Sequence, residues 1–393
     1  MIERRTYVNM PAKTLYKHQA RFIEKNPDRA LLLWEVGTGK TLAACEWLKK
    51  RTDRKALVVC PKALVGKWKR DLKEEGAVAD VMTRDEIKKA DLAKYQCLVL
   101  DEAHDYASPL FSKARSQRAT KIYNHIKDNP DTHVLLLTAT PIRSTPWNIH
   151  TLACYLSIFW PVRAFRNKFE HMTSMYGRMH YELNKTWRTD VREYVEKVAD
   201  IVLLKDCADV PKQHQQVIEI PWTPKQHNEI GQMYLAPAQE WHERHRRENS
   251  YEKLDVLKEL LSGYRKAIVI CYYVSQIEEY AKELAKERQV FVLSGSTKDQ
   301  DAVIAAARAS DDCVFFVQAS MGNGFDAHEF SVMIFASQSF KFIDNIQSQG
   351  RILRMGNLHE NTYIYLLGGK CDRAVFETIE KGHDFHAPSY LSK

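Results

Sequence analysis

Two stretches of this chain alternate short apolar runs with segments of helical spacing. In the first, the runs Ala30–Trp34, Ala56–Cys60, Cys97–Asp101 and Val134–Thr138 are separated by patterns such as TLAACEWLKK (41–50). In the second, from Lys266 on, the runs are AIVICYY, VFVL, VFFV, VMIFA and TYIYLL. Strands apolar on both faces, alternating with helices, predict parallel sheets covered on both sides. Between the two stretches the apolar runs stop. There Arg163, Arg166, Lys168, Arg178, Lys185, Arg188 and Arg192 outnumber Glu170, Glu182 and Asp190, and Phe165, Phe169, Tyr176, Tyr181 and Trp187 are interleaved. This segment reads as a helical insertion, either a basic face for nucleic acid or a prop with a solvated surface. The chain turns extended near Pro211 and Pro221, and a polar helix with WHERHRR (241–247) follows. The expected organisation is an α/β domain at 1–160, the insertion at 161–212 and a second α/β domain at 213–393.

The first run leads into VGTGKT (36–41) and then into a helical pattern. Strand, glycine turn, Lys-Thr and helix are the parts of a phosphate-binding loop. Glycines let backbone N–H groups approach phosphate oxygens, and the helix N-terminus adds a favourable dipole. Gly37, Thr38 and Gly39 would cradle the phosphates, Lys40 would reach the β/γ-phosphates, and the Thr41 hydroxyl would hold Mg²⁺. The general pattern asks for glycine at position 34, where this chain has Trp34.

The third run ends in LDEAH (100–104). Asp101 at a strand end suits Mg²⁺ binding, and Glu102 is placed to orient and deprotonate a water. The fourth ends in TATP (138–141), where Thr138 and Thr140 either bond the neighbouring acids or cap a turn before Pro141. After the second run, Lys62, Lys67, Lys69 and Arg70 are either phosphate contacts or a solvated helix face. The second α/β stretch has no phosphate loop and offers GST (295–297), SMGNGFD (320–326) and QSQGRILR (347–354). The last predicts a helix with Ile343, Ile346, Gly350 and Leu353 on one stripe and Gln347, Arg351 and Arg354 on another. Two arginines on one face could clamp a γ-phosphate.

Bulk composition narrows this picture. The 393 residues are 45% apolar and 27% charged, which argues for two or three cored domains over a disordered chain. No run approaches the ~18 apolar residues of a membrane helix, and MIERRTYVNMP lacks the apolar region of a signal peptide. Eight scattered cysteines form no C-x-x-C pair, and Cys60, Cys97, Cys271 and Cys313 sit in or beside strand-like runs. A reducing, cytoplasmic setting is expected. The net charge of +8 fits a polyanionic partner without specifying one.

In order, VGTGKT, VVCP, LDEAH, TATP, GST, GNG and QxxGRxxR resemble superfamily 2 helicases and translocases, over nearly the whole chain. The flanking LYKHQ (15–19), KALVGKWKRDL, IVLLKDCADVPKQ and LSGST look nearest to the Swi/Snf type of double-stranded DNA translocase. Phage-type fork-reversing helicases share the arginine motif. The resemblance implies two RecA-like domains with ATP in the cleft between them. It implies that Gln19 reads adenine, that Lys40 and Thr41 bind phosphates and Mg²⁺, that Asp101 binds Mg²⁺ and that Glu102 activates water. Arg351 and Arg354 would be arginine fingers, and Gln347 would lie beside the nucleotide. Thr138 and Thr140 would couple nucleotide to nucleic acid, and Lys62, Ser296, Thr297, Gly322 and Gly324 would face its backbone.

The expected activity is DNA-stimulated ATP hydrolysis by a monomeric bacterial or phage motor on double-stranded or branched DNA, without sequence preference. Alternatives are an RNA helicase, a catalytically silent nucleic-acid-binding scaffold, or the motor subunit of a restriction or defence complex. Two departures stand out: Asp326 replaces an amide usual in the Swi/Snf motif, and SFKF (339–342) stands where a WNP signature is usual. With no accessory domain recognisable beside the motor, nucleosome remodelling is not expected.

Overall fold

The computed structural model describes residues 15–111, 116–142, 145–175, 178–207, 211–220, 245, 252–322, 325–353 and 359–385. The chain divides into two compact units, Met1–Leu33 with Gly39–Val202, and Trp34–Thr38 with Leu203–Lys393. Each is built on one six-stranded sheet: the α/β architecture expected from the apolar runs, and the two-domain RecA-like arrangement that the resemblance implies.

The first unit contains α1 (Lys17–Lys25), β1 (Arg29–Trp34), α2 (Lys40–Lys49), β2 (Ala56–Cys60), α3 (Val65–Glu75), β3 (Asp80–Thr83) and β4 (Cys97–Asp101). It continues with α4 (Gln117–Asp128), β5 (His133–Thr138), α5 (Trp147–Tyr155), α6 (Val162–Phe169), β6 (Glu170–Met175), β7 (Arg178–Leu183), α7 (Trp187–Asp190), α8 (Arg192–Val198) and β8 (Ala199–Val202). The sheet order is β3-β2-β4-β5-β1-β8, and β3-β2-β4-β5-β1 pair in parallel. All five residues of β2 are buried, as a central strand covered by helices requires. Its core gathers Leu57, Val59, Leu98, Leu100, Val134 and Leu136 from the central strands.

The second unit contains β9 (Gln213–Glu219), α9 (Glu252–Ser262), β10 (Lys266–Cys271), α10 (Val274–Leu284), β11 (Val290–Leu293), α11 (Gln300–Ala309) and β12 (Cys313–Gln318). It ends with β13 (Val332–Phe335), α12 (Phe342–Gln349), β14 (Asn361–Leu367) and α13 (Lys370–Glu380). The order is β11-β12-β10-β13-β14-β9, parallel throughout. Period-two side-chain direction divides each central strand between two cores. Ala267, Val269, Val314 and Phe316 point into one, and Ile268, Ile270, Phe315 and Val317 into the other. Both faces are therefore covered, which explains why these strands read as unbroken apolar runs.

Among the described residues, three sheet-edge strands escaped the apolar pattern. β3, β8 and β9 are sheet edges, and β9, QHQQVIE, is exposed along most of its length. An edge strand is held by main-chain pairing on one side and needs no continuous apolar run. The segment 161–212, expected to be helical, holds α6, α7 and α8, but also an antiparallel hairpin of β6 and β7 and the edge strand β8. In the WHERHRR segment only His245 falls within the described residues. No helix among the described residues is long and apolar enough to cross a membrane.

Candidate functional site

In the first unit, neighbouring parallel strands carry their polar residues at the same end, as open α/β sheets do at their functional edge. The ends of β2, β4, β5 and β1 deliver, respectively, Lys62, Asp101 with Glu102, Thr138 with Thr140, and the glycine loop.

The loop after β1 turns through two left-handed glycines, Gly37 at φ 89° and Gly39 at φ 80°. Gly39 caps α2, so Lys40 and Thr41 open the helix. A side chain at Gly39 would be strained at this φ and would collide with the Gln19 amide. The Gln19 side chain donates to the Gly39 carbonyl at 3.1 Å and accepts from the Tyr16 N–H at 2.9 Å. The residue expected to read adenine thus braces the loop, fully buried. The Thr38 hydroxyl donates to the Glu35 carbonyl at 2.7 Å, which tightens the turn. Trp34 is fully buried and is the last residue of β1. The position where the general pattern asks for glycine is a strand-end core residue here.

Asp101 closes β4. Its carboxylate accepts from the Trp68 indole N–H at 2.8 Å and from the Glu102 N–H at 3.0 Å. Burial raises the Asp101 pKa above the ordinary aspartate range, against the opposing pull of Trp68, Lys40, the Glu102 N–H and Lys67. Lys40 and Asp101 are therefore close enough to feel each other's charge. Glu102 adopts the left-handed conformation at φ 50°, uncommon for a residue with a side chain. This turns the chain sharply from the strand into the AHDY turn, Ala103–Tyr106.

His104 links the acids to the next strand. Its Nδ1 lies 3.4 Å from Glu102 Oε2 and 2.9 Å from the Thr138 hydroxyl. Thr138 donates to the Thr140 carbonyl at 3.1 Å and accepts from the Thr140 N–H at 3.0 Å. The imidazole thus connects the LDEAH and TATP motifs. The Thr140 hydroxyl is buried without a hydrogen-bond partner. Sequence reasoning passed over both Trp68 and His104. Trp68 is hidden among lysines in KALVGKWKRDL, and its one cue was to be the apolar residue in a basic helix.

In the second unit the polar clusters are largely occupied with their own structure. The Thr297 hydroxyl donates to the Val292 carbonyl at 3.2 Å and accepts from the Ser294 N–H at 3.0 Å. The Ser294 and Ser296 hydroxyls are 2.9 Å apart, and Gln318 accepts from the Gly295 N–H at 3.0 Å. Ser296 is exposed and Thr297 half-buried. Gly322 is buried, and a Cβ there would run into the Ser348 hydroxyl of α12.

The arginine motif differs from its expected geometry. α12 ends at Gln349, with Gly350 at its C-cap. Gln347 is on the helix and buried, whereas Arg351 lies in the turn beyond it, so the two do not form one helical stripe. The Arg351 guanidinium donates to the carbonyls of Gln347 at 2.9 Å and Phe325 at 2.8 Å. Arg354 and Gly324 lie outside the described residues.

Residues 252–356 match the helicase conserved C-terminal domain. The match lies within the second unit and covers about a quarter of the chain. The resemblance to superfamily 2 helicases, read from the order of its motifs, is supported by this match. The chain is also similar to the "Uncharacterized ATP-dependent helicase YqhH" of Bacillus subtilis (strain 168), 27% identical over 176 residues, which are 37% of this chain and 30% of that protein. Among solved structures it is similar to the Sulfolobus solfataricus SWI2/SNF2 ATPase core in complex with dsDNA. That match has a TM-score of 0.41 and 14% identity, over 94% of this chain and 91% of the other.

Proposed function

We propose that this helicase-family ATPase hydrolyses ATP to move along double-stranded or branched DNA. The observation that carries the reading is the arrangement at the strand ends: a left-handed glycine turn opening α2 at Lys40, and the half-buried Asp101 carboxylate at the end of β4, which feels the Lys40 charge. In this reading the N–H groups of Gly37, Thr38 and Gly39 and the α2 N-terminus hold the phosphates, and Lys40 supplies the fixed positive charge.

Thr41 and Asp101 are the residues to hold Mg²⁺. Among the described residues no group of three or more His, Cys, Asp or Glu could form an all-protein metal cage. One hydroxyl and one carboxylate nevertheless suit Mg²⁺, which keeps waters and substrate phosphates in its shell. Bound there, the ion would neutralise phosphate charge. Glu102 orients the attacking water and accepts its proton, with His104 Nδ1 3.4 Å from its carboxylate. The His104–Thr138–Thr140 chain gives the β5 loop a physical connection to that carboxylate. Arg351 and Arg354 stabilise charge on the transferred phosphoryl group.

Kinship with Swi/Snf-type motors rests on the motif flanks and points to duplex DNA and to contacts with its backbone, from Lys62, Ser296 and Thr297. Phosphate contacts predict weak sequence preference and steep salt dependence. The test is ATP hydrolysis by the full chain with duplex, single-stranded, forked and four-way DNA and with RNA. Greater stimulation by duplex or branched DNA supports the reading. Stimulation by RNA alone would move the assignment to an RNA helicase, and a copurifying nuclease would mark a defence-complex motor.

A further inference from the structure

The hairpin of β6 and β7 forms a sheet of its own. In its register Glu170 pairs with Leu183 and Met172 with Tyr181. Residues two apart share a face of a strand, so both pairs point the same way. At the base that face is covered: Leu183 packs on the core, and Glu170 accepts from the Trp147 indole at 2.6 Å. One pair further out the cover ends. Met172 is 57% and Tyr181 55% exposed. The hairpin therefore extends beyond the core and holds two large apolar side chains side by side in water.

The surroundings are basic. Between Arg163 and Arg188 the sequence holds six Arg or Lys against two Glu, and Arg163, Lys168, Lys185 and Arg188 are exposed. The Arg166 guanidinium lies 4.8 Å from the centre of the Tyr181 ring. It is 3.3 Å from Glu170, which anchors it to the base of the hairpin. An aromatic ring and a thioether backed by arginine, within a field of positive charge, are the elements of a base-stacking platform. A duplex hides its base faces, whereas a single strand offers them.

We propose that the Met172–Tyr181 pair is a stacking site for the unpaired bases of single-stranded DNA. This rests on the nucleic-acid motor reading and assigns the hairpin a substrate that phosphate contacts alone would not select.

The test compares the full chain with a Met172→Ser/Tyr181→Ser double variant, using fluorescently labelled oligo-dT and a blunt duplex of equal length, with circular dichroism melting as the check on folding. Stacking predicts that oligo-dT affinity falls at least about ten-fold, that duplex affinity changes less than two-fold, and that Tyr181→Trp retains oligo-dT binding. Unchanged oligo-dT affinity, an equal loss on both DNAs, or a change in self-association in place of DNA binding would overturn the proposal. Failure of the motor reading is recognised separately, as absence of DNA-stimulated ATP hydrolysis in the unmodified chain.

Discussion

The two halves of this protein build similar objects, a six-stranded and mainly parallel sheet with helices on its faces, and use its polar residues in different ways. In the first unit the strand ends turn outward into chemistry: the left-handed Gly39, a lysine at a helix start, and two acids, one bonded by an indole and the other beside an imidazole. In the second, the polar groups mainly hold the unit together. Ser294, Thr297 and Gln318 satisfy their own loop, Arg351 is bonded to backbone carbonyls, and the buried Lys253 is paired with the buried Asp372. The fold provides an edge where strands end together. The residues placed there decide whether it serves a ligand or stability.

The contrast is sharpest at Lys253. Its ammonium bonds Asp372 and the Ala336 carbonyl, the latter at 2.5 Å, and His245 Nε2 lies 3.3 Å from the same carboxylate. Removing one member of a buried ion pair leaves the other uncompensated, typically at about 3–5 kcal/mol. Lys253→Met is therefore expected to destabilise the second unit by about that much in urea titrations. Lys40→Ala and Glu102→Gln are expected to leave the urea midpoint near its original value. Each should instead lower ATP hydrolysis about 10²-fold or more, the scale of losing one preorganised group at a transferring phosphoryl. If Lys40→Ala keeps near-normal hydrolysis, the first unit is not the catalytic half.

The same carboxylate sets a pH dependence. Burial would raise the Asp372 pKa, but Lys253 and His245 outweigh it and hold it down at about 2. A folded pKa below the unfolded one adds stability that is present above the unfolded aspartate value, about 4, and is lost as pH falls towards 2. Denaturant midpoints followed from pH 5 to pH 2 should show a loss of about 2 kcal/mol. Asp372→Asn should be less stable at pH 5 and should flatten this slope.

Gly322 tests the boundary between the two kinds of use. The motif comparison assigns it to nucleic acid, whereas its packing is against Ser348. Gly322→Ala should cost about 2 kcal/mol by overpacking, and adding Ser348→Ala should recover part of it. Stability unchanged, with DNA binding lost, would return the glycine to the ligand. The smallest expected effect is that of Trp68→Phe. Loss of the hydrogen bond to Asp101, about 1.5 kcal/mol, should lower ATP hydrolysis roughly ten-fold with little change in fold.

What could be read from residues alone follows from what each element must do physically. Strands covered on both faces, such as Cys97–Asp101 and Cys313–Gln318, have to be apolar throughout and were visible. Edge strands such as Gln213–Glu219 meet no such demand and were not. The glycine loop was legible because few residues accept positive φ at two positions in three. Trp34 was puzzling only against a phosphate-loop pattern; as the buried end of β1 it needs no ligand. Trp68 and His104 act by reaching other motifs in space, across 33 and 34 residues of sequence. Nothing local marks such contacts. The helical spacing was carried to Arg351, whereas α12 ends at Gln349.

The most direct measurement is steady-state ATP hydrolysis by the full chain, without nucleic acid and then with duplex DNA at low and high salt. The account predicts at least about ten-fold stimulation by duplex DNA, lost on Lys40→Ala and weakened steeply by salt. Hydrolysis that is indifferent to DNA, or stimulation surviving in Lys40→Ala, would contradict it.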